Sequence, residues 1–471
     1  MQLNNKMKVS STIKNNKTNM ITYRNLRVVG IMLLTLLAGN AMAQFQPAIQ
    51  YFRAYDQRGI NVFETSKEDT VVYDGLKLRL GAGFTQGYQS LEHSNGLADD
   101  PSKLYEMGGG FPLAQANFNI DVQLYDGVRL NLVSYMSSHH HNEFWVKGGY
   151  LQVDKVKFLN SEFMDKLWTN LTLKVGHMEV NYGDAHFRRS DGGNTMWNPW
   201  IENNIMDEFT TEIGAELYWQ KKGIIAMIAM TDGEIQGNIS DPSTPDGAKR
   251  KPSIYGKLGF DKQLKDNLRI RLTGSFYTTK SSASNTIFGG DRTGSNYQYV
   301  MENAPVTLTG NAFSGRFNPG FRDNVTTFMI NPFVKFGGLE VFGTIEFAKG
   351  ANAFENGEGT NWAATGDREA NQTAGEALYR FGKNEKFYIG ARYIKVDATV
   401  SEGTSATNAG TQYDVTIDRF SVGGGWFVTR NILMKGEYVN QNYDGYQDTG
   451  ANSRFYEGNF KGIVIQGVIA F

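Results

Sequence analysis

Apolar and polar residues alternate with a period of two along most of the chain. Between residues 114 and 124, Ala, Phe, Ile, Val and Leu interleave with Gln, Asn and Asp. Successive side chains of a β-strand point to opposite faces, so this pattern predicts a strand between an apolar and a polar environment. A Tyr125-Asp126-Gly127 turn follows, and the alternation then resumes. Since Asp-Gly favours tight hairpins, the sequence predicts two antiparallel strands here.

The same alternation marks sixteen segments of the chain. They lie at 76–91, 111–124, 128–138, 143–154, 171–180, 211–220, 223–232, 254–261, 267–279, 322–336, 339–350, 372–381, 386–397, 414–427, 430–442 and 460–471. Long connections, such as 181–210 and 280–321, alternate with short ones, such as 126–127 and 337–338. The exceptions are 139–142, which is short among the long ones, and 155–170, which is long among the short ones.

An even number of strands with alternating long and short connections is typical of an outer-membrane β-barrel. We therefore predict an all-β fold, a transmembrane antiparallel barrel of about 16 strands over residues 76–471, with long outer loops and short periplasmic turns. The apolar face would contact lipid, and the polar face would line a lumen. The alternative is a secreted soluble β-sandwich or propeller, whose strands also alternate. The persistent inequality of the connections and the lack of a repeat of fixed period favour the barrel.

The first 43 residues have the composition of a secretory signal peptide. They contain six Lys and Arg and no acidic residue, followed by the apolar run 28–38 and by Ala41-Met42-Ala43. This order predicts cleavage after residue 43 and export, and Met20 is a second candidate for the initiator. The alternative is a transmembrane anchor, for which the apolar run is short. Residues 44–75 contain both charge signs, and the sequence leaves open a periplasmic extension, a partial plug or an extra strand.

Composition narrows the possible functions. The chain has no cysteine, which excludes disulfides, thiolate metal sites and a cysteine nucleophile. Without the first 43 residues, 41 basic residues face 48 acidic ones, a charge of about −7 that disfavours a nucleic-acid partner. The run His139-His140-His141 does not predict a metal site, because successive strand residues point to opposite faces, and we expect a hydrated loop tip. No spacing identifies a catalytic triad, so we predict neither an enzyme nor a cofactor.

The third long connection, 181–210, is the candidate pore constriction. It is rich in charge, glycine and tryptophan, so it can fold back against the wall and display charge in the lumen. The candidate constriction residues are Asp184, His186, Arg188, Arg189 and Asp191. The alternative is an ordinary exposed loop whose tryptophans cover its base.

The predicted inward face carries both charge signs. The basic wall candidates are Lys77, Arg79, Arg129, Lys174, Arg269, Arg271, Arg392 and Lys435. The acidic ones are Asp121, Glu212, Glu216, Glu340, Glu346 and Glu437. Since rings of one sign select ions, this mixture predicts neutralisation between neighbouring strands and at most a modest anion preference.

One stretch carries a family resemblance. Leu173-Lys174-Val175-Gly176-His177-Met178-Glu179-Val180-Asn181-Tyr182-Gly183 resembles the strand that leads into the constricting third loop of the phosphate-selective porin O and P family. Residues 184–191, Asn198-Pro199 and 211–216 are similar to the Bacteroidetes branch of such porins. The resemblance implies a sixteen-stranded barrel, often a homotrimer, that transports small hydrophilic solutes passively. It does not carry over phosphate specificity, because the arginine ladder and lysine cluster of phosphate-selective members cannot be mapped onto this chain.

The pattern and the resemblance together favour a general or weakly selective diffusion porin in the bacterial outer membrane. Its partners would be membrane lipid and small hydrophilic solutes or ions. Two other classes remain open at this stage. One is a barrel that serves as a structural or assembly subunit of an outer-membrane complex, and the other is a channel for hydrophobic substrates with an N-terminal hatch.

Overall fold

The strands close into a single antiparallel barrel. The computed structural model describes residues 47–67, 71–97, 104–140, 143–190, 195–233, 250–282, 284–352, 355, 365–402 and 411–471. Each strand is hydrogen-bonded to its sequence neighbours, and the first strand also pairs with the last, where Phe84 lies beside Ile469. This confirms the predicted fold class. The expected signal peptide lies outside the described residues.

The strand bounds agree with the predicted segments to within about four residues. The strands are β1 Lys77–Ser94, β2 Gln115–Tyr125, β3 Val128–Met136, β4 Trp145–Val153, β5 Leu171–Glu179, β6 Thr211–Lys221, β7 Ile224–Thr231, β8 Ser253–Lys265, β9 Leu268–Thr279, β10 Asn324–Phe336, β11 Leu339–Ala351, β12 Arg368–Phe381, β13 Phe387–Ser401, β14 Gln412–Thr429, β15 Ile432–Asp444 and β16 Asn459–Ala470.

Helical structure is confined to the connections. The helix α1, Glu162–Trp168, lies between β4 and β5 and begins at Ser161, whose hydroxyl accepts a hydrogen bond from the Met164 amide. Short 3-10 turns lie at Gln57–Gly59, Lys157–Leu159, Ala185–Arg188, Thr195–Trp197, Lys383–Glu385 and Ser453–Phe455. Throughout the described ranges, no helix is both long and apolar enough to cross a membrane.

Long and short connections gather at opposite ends of the barrel, as the sequence predicted. Two-residue turns join β2 to β3 and β10 to β11, whereas loop L3 (180–210) and loop L5 (280–323) join β5 to β6 and β9 to β10. The two exceptions also hold, since 137–144 is short and 154–170 contains α1. We refer below to the long-loop end and the short-turn end of the barrel.

The polarity of the barrel wall is the reverse of a soluble protein's. On β2, Asn117, Asn119 and Asp121 face inward and are buried, whereas Phe118 and Leu124 face outward and are exposed. The same division recurs on β11, where Glu346 is buried between the exposed Ile345 and Phe347. Buried polar and exposed apolar side chains are the informative exceptions to ordinary burial. The predicted alternation of environments is thus confirmed.

The apolar exterior ends at a continuous line near the long-loop end. Outward-facing side chains change from Tyr393 to Lys395 on β13, and Lys395 lies beside Asp418 of β14. On β15 the change occurs at Asn440, which lies beside Lys461 of β16. Beyond this line the exterior is polar, so the apolar surface is a belt of limited height.

Aromatic residues mark the other edge of the belt. Near the short-turn end, Tyr379, Phe381, Phe387 and Trp426 form a row of exposed rings that stack with interplanar angles of 17° to 23°. Aromatic girdles at the edges of an outward apolar band are the arrangement that transmembrane barrels present to a bilayer.

Apolar side chains of L3 and L5 pack inside the barrel near the long-loop end. Ile201 and Ile205 of L3 and Val300 of L5 are fully buried against inward-facing residues such as Val396 and Val439. The inward face of β13 is apolar here, while its outward face carries Lys395. This half of the lumen is therefore filled by protein rather than left open.

Candidate pore lining

The eight basic wall candidates lie on strands, and their partners fall into three groups. Some pair across neighbouring strands, as predicted: Arg79 with Asp121 at 2.6 Å, and Arg269 with Asp261 at 2.6 Å. Arg129 binds Asp154, which follows β4, and Lys77 binds Asp74 at 2.7 Å. Arg271, Arg392 and Lys435 instead contact L3. Much of the wall charge therefore serves to hold a loop in the lumen.

Lys174 has a loose ion pair and keeps part of its exposure. Its ammonium lies 3.8 Å from the Glu216 carboxylate, and its side chain keeps 25% of its exposure. It also lies 5.1 Å and 4.9 Å from the ring centroids of Tyr150 and Tyr218. Two aromatic rings attract a cation without cancelling its charge, so Lys174 presents positive charge to the lumen.

Loop L3 folds inward and is held there by the wall. The Asp184 carboxylate is fully buried and accepts from Arg271 Nε at 2.7 Å and from the Thr273 hydroxyl at 2.7 Å. Burial alone would raise the pKa of Asp184, but Arg271 and Lys257 hold it below its usual range. Lys435 Nζ donates to the Trp200 carbonyl at 2.6 Å. These contacts fix L3 near its start, at Asp184, and in its second half, at Trp200.

The other candidate constriction residues are also paired. His186 contacts Glu179 and Asn181 at 3.0 Å and 2.8 Å. Arg188 contacts Glu376 at 2.5 Å, and Arg189 contacts Asp207 at 2.7 Å. Asp191 lies outside the described residues. The four candidates within the described part of L3 are thus paired rather than free.

The segment 48–67, which we call the N-terminal segment, contacts opposite walls of the barrel. The Tyr55 hydroxyl donates to Asp121 of β2 at 3.1 Å, and Asn61 Nδ2 donates to Glu340 of β11 at 2.7 Å. The backbone N–H of Gln57 donates to the Arg430 carbonyl in the β14–β15 turn at 3.0 Å. A segment with partners on β2, β11 and the β14–β15 turn crosses the lumen. Its described residues contain no strand.

The N-terminal segment also packs directly on L3. The Arg53 guanidinium lies 3.4 Å from the ring centroid of Trp197 and donates to the Phe187 carbonyl at 3.1 Å. Phe63 meets Phe187 edge-on, with centroids 5.7 Å apart. The two pieces of chain therefore form one body inside the barrel.

Glu64 joins the N-terminal segment, L3 and the wall in one buried ion-pair cluster. Lys257 Nζ of β8 lies 2.9 Å from Glu64 and 3.1 Å from Asp184. Arg271 of β9 binds the same two carboxylates. Side-chain exposures are 6% for Glu64 and zero for the other three residues. Two cations and two carboxylates balance, which is the condition for burying charge without a large penalty.

A cavity of about 270 Å³ remains beside this body, against β1 to β6. The N-terminal segment and L3 form its inner side. Its lining combines amides, aromatic rings and charged groups, among them Arg79, Asn119, Asn131, Tyr150, Lys174, Gln220, Tyr55 and Trp197. Because these side chains are polar and the cavity has volume for several waters, the site suits hydrated solutes.

The prediction that His139 lies at a hydrated loop tip was wrong. Only 2% of the residue is exposed, and its ring nitrogens lie 3.0 Å and 3.1 Å from the carbonyls of Leu308 and Ser295 in L5. It is a buried contact between loops rather than a hydrated tip. The cause is that L5 folds back into the barrel, which local sequence does not reveal. His141 lies outside the described residues.

Sequence reasoning also missed several buried cations. Lys257, Arg380 and Arg419 all face inward at 4% exposure or less. Arg380 Nε donates to Glu340 at 2.8 Å, and Arg419 donates to the carbonyls of Asn203 and Gly315. Their place on the inward face follows from alternation alone, which was the signal that could have found them.

The chain is similar to several solved structures. No family model matches the chain, and no curated protein matches it. An anion-selective porin from Comamonas acidovorans has a TM-score of 0.49 at 11% identity, over 84% of this chain and 100% of that one. The channel DcaP of Acinetobacter baumannii has a TM-score of 0.48 at 11% identity, over 84% and 98%. OprB of Pseudomonas putida has a TM-score of 0.44 at 9% identity, over 84% and 94%. Identities and scores this low do not carry a function from one chain to another.

Proposed function

We propose that the chain forms an outer-membrane channel that passes small hydrophilic solutes or ions by passive diffusion. The carrying observation is the closed barrel with a bounded apolar belt outside and a polar, charged lumen inside. A bilayer leaves no water to satisfy backbone groups, so a closed barrel is one of two structures that can span it. Discrimination would rest on the width of the passage and its field, with no covalent step.

The passage we propose runs through the cavity beside β1 to β6. Apolar packing of L3 and L5 fills the opposite side near the long-loop end, and ion pairs fill it near the N-terminal segment. This supports a narrower and more selective channel than the general or weakly selective porin that the sequence favoured. No observation on the described residues specifically favours the alternative, a structural or assembly subunit of an outer-membrane complex.

Lys174 is our candidate for the charge that sets ion preference. We expect Lys174→Gln to lower the preference of the channel for anions, because it removes the loosely paired cation that lines the cavity. The measurement is the reversal potential across a planar bilayer in a salt gradient. Lys461→Gln, which removes a cation from the polar exterior, is the matched control. Equal reversal potentials for wild type and Lys174→Gln would show that Lys174 does not set the ion preference of the passage.

The finer family assignment is also a proposal. The proposal that the chain belongs to the phosphate-selective porin O and P branch rests on the resemblance of 173–183, which covers most of β5 and the start of L3. Block of the current by phosphate would support that branch, and the homotrimer it implies is tested by cross-linking the refolded protein. Arg188→Ala with Arg189→Ala tests L3 itself, and unchanged conductance would exclude those residues from the constriction.

A further inference from the structure

We propose that the N-terminal segment is a stopper inside the channel, and that Glu64 latches it to loop L3 and the wall. The proposal rests on the proposed channel function and adds how the width of the passage is set. In this account, the segment and L3 stay in place together or are released together.

The path of the segment supports a stopper. Its partners lie on β2, on β11 and in the β14–β15 turn, so it bridges the lumen near the short-turn end. Phe63 also packs on Phe333 of β10, with ring centroids 5.3 Å apart. A chain held on several walls blocks the cross-section between them. It leaves open the cavity beside β1 to β6 and a second one against the turns β8–β9, β10–β11 and β12–β13.

The latch consists of the charge-assisted hydrogen bonds among these contacts, which are the strongest of them. Glu64 accepts from Lys257 and Arg271 on the wall and from Asn181 Nδ2 of L3 at 3.1 Å. Asp184 of L3 shares the same two cations. One carboxylate from the N-terminal segment and one from L3 are thus bound to one pair of wall cations. Charge-assisted bonds among buried partners are strong, and removal of one partner leaves the rest unbalanced.

Release of the latch should widen the passage. Glu64→Gln keeps the size of the side chain but leaves Lys257 and Arg271 with Asp184 as the one fully buried carboxylate that they share, while Asp261 contacts Arg271 alone. The excess charge favours entry of water, which weakens the hold on both the segment and L3. Sixteen-stranded barrels are wide enough for an aqueous channel when nothing fills them, so we expect single-channel conductance to rise about twofold or more.

The experiment compares refolded full-length wild type, Glu64→Gln and Asp261→Asn in planar bilayers. Asp261 also contacts Arg271, at 3.3 Å, and its other ion-pair partner is Arg269 of the wall, so it controls for charge change at the same cation. Asn61→Ala is a second release variant, because it removes the contacts with Glu340 and Arg188 without changing charge. Electrophoresis with and without heating confirms that each variant has folded.

A disulfide staple tests whether the segment itself is responsible. The Gln57 amide and the Arg430 carbonyl are hydrogen-bonded, so their Cα atoms lie within reach of a disulfide. The natural chain has no cysteine that could form a competing disulfide. We expect Gln57→Cys with Arg430→Cys to reverse the effect of Glu64→Gln when oxidised and to restore it when reduced.

Higher conductance in Glu64→Gln, wild-type conductance in Asp261→Asn and reversal by the oxidised staple would support the stopper. Conductance in folded Glu64→Gln and Asn61→Ala equal to that of wild type would overturn it. If no folded variant conducts, the channel function fails, and trypsin cleavage after Arg53 then judges the latch separately. Cleavage in Glu64→Gln with protection in wild type and Asp261→Asn would support the latch, and equal protection in all three would overturn it.

Discussion

An arginine placed at the middle of the apolar belt tests whether that belt contacts hydrocarbon. Ile345 is the central residue of β11, faces outward and is 39% exposed. Its cross-strand neighbours are Ile330 of β10 and Thr373 of β12, which offer no carboxylate to an arginine. Ile345→Arg should therefore carry the full cost of a cation on the lipid face.

The expected magnitude depends on depth along the same strand. At the midplane of a bilayer, arginine on the lipid face of a barrel destabilises it by about 2–4 kcal/mol, whereas near an interface the cost is about 0–1 kcal/mol. Leu339 is the first residue of β11, also faces outward and is 42% exposed. Leu339→Arg is thus a control with the same added charge and a similar exposure.

The assay is urea unfolding of the barrel refolded into phospholipid vesicles, followed by tryptophan fluorescence. We expect a free-energy loss for Ile345→Arg that exceeds the loss for Leu339→Arg by about 2 kcal/mol. Equal losses at the two positions would refute the reasoning, because a surface in water has no depth dependence. So would the absence of a loss at Ile345.

Two further predictions concern the interior. Lys257→Met should destabilise the refolded barrel by about 3–5 kcal/mol, because it leaves buried carboxylates with one cation fewer, while Lys461→Met on the exterior should leave the urea midpoint unchanged. An equal effect of both substitutions would contradict the buried cluster. Burial lowers the pKa of His139 from its ordinary value of 6.5, so the folded state favours the neutral ring. The contribution of His139 to the free energy of unfolding is therefore fully present above pH 6.5 and is lost as the pH falls below that value. His139→Gln should remove that part of the pH dependence, measured as the urea midpoint against pH, and an unchanged pH profile would exclude His139 as its source.

The alternation predicted the barrel because a period of two reports directly which face each side chain occupies. The segment 339–350 matched β11 closely, since its outward face is apolar from Leu339 to Phe347. The segment 386–397 ended early because β13 continues to Ser401 with its polarity reversed, Lys395 outward and Val396 inward. The reversal marks where the strand leaves the apolar belt and packs on the loops. A pattern that assumes one polarity for each face stops there.

The interior was much less predictable, because its contacts join distant parts of the chain. Lys257 binds Glu64, 193 residues away, and Asp184, 73 residues away. Neither separation leaves a local signature. The N-terminal segment has no periodicity, so the sequence could not choose among its three alternatives. Composition did single out L3, but the pairing of Arg188 and Arg189 depends on where the wall acids lie.

The most direct test of the account is single-channel conductance of the refolded protein, without residues 1–43, in planar bilayers. We predict stable conductance steps, smaller than those of an unobstructed sixteen-stranded barrel, because L3, L5 and the N-terminal segment fill part of the lumen. A folded, heat-modifiable barrel that inserts but never conducts would contradict the channel function.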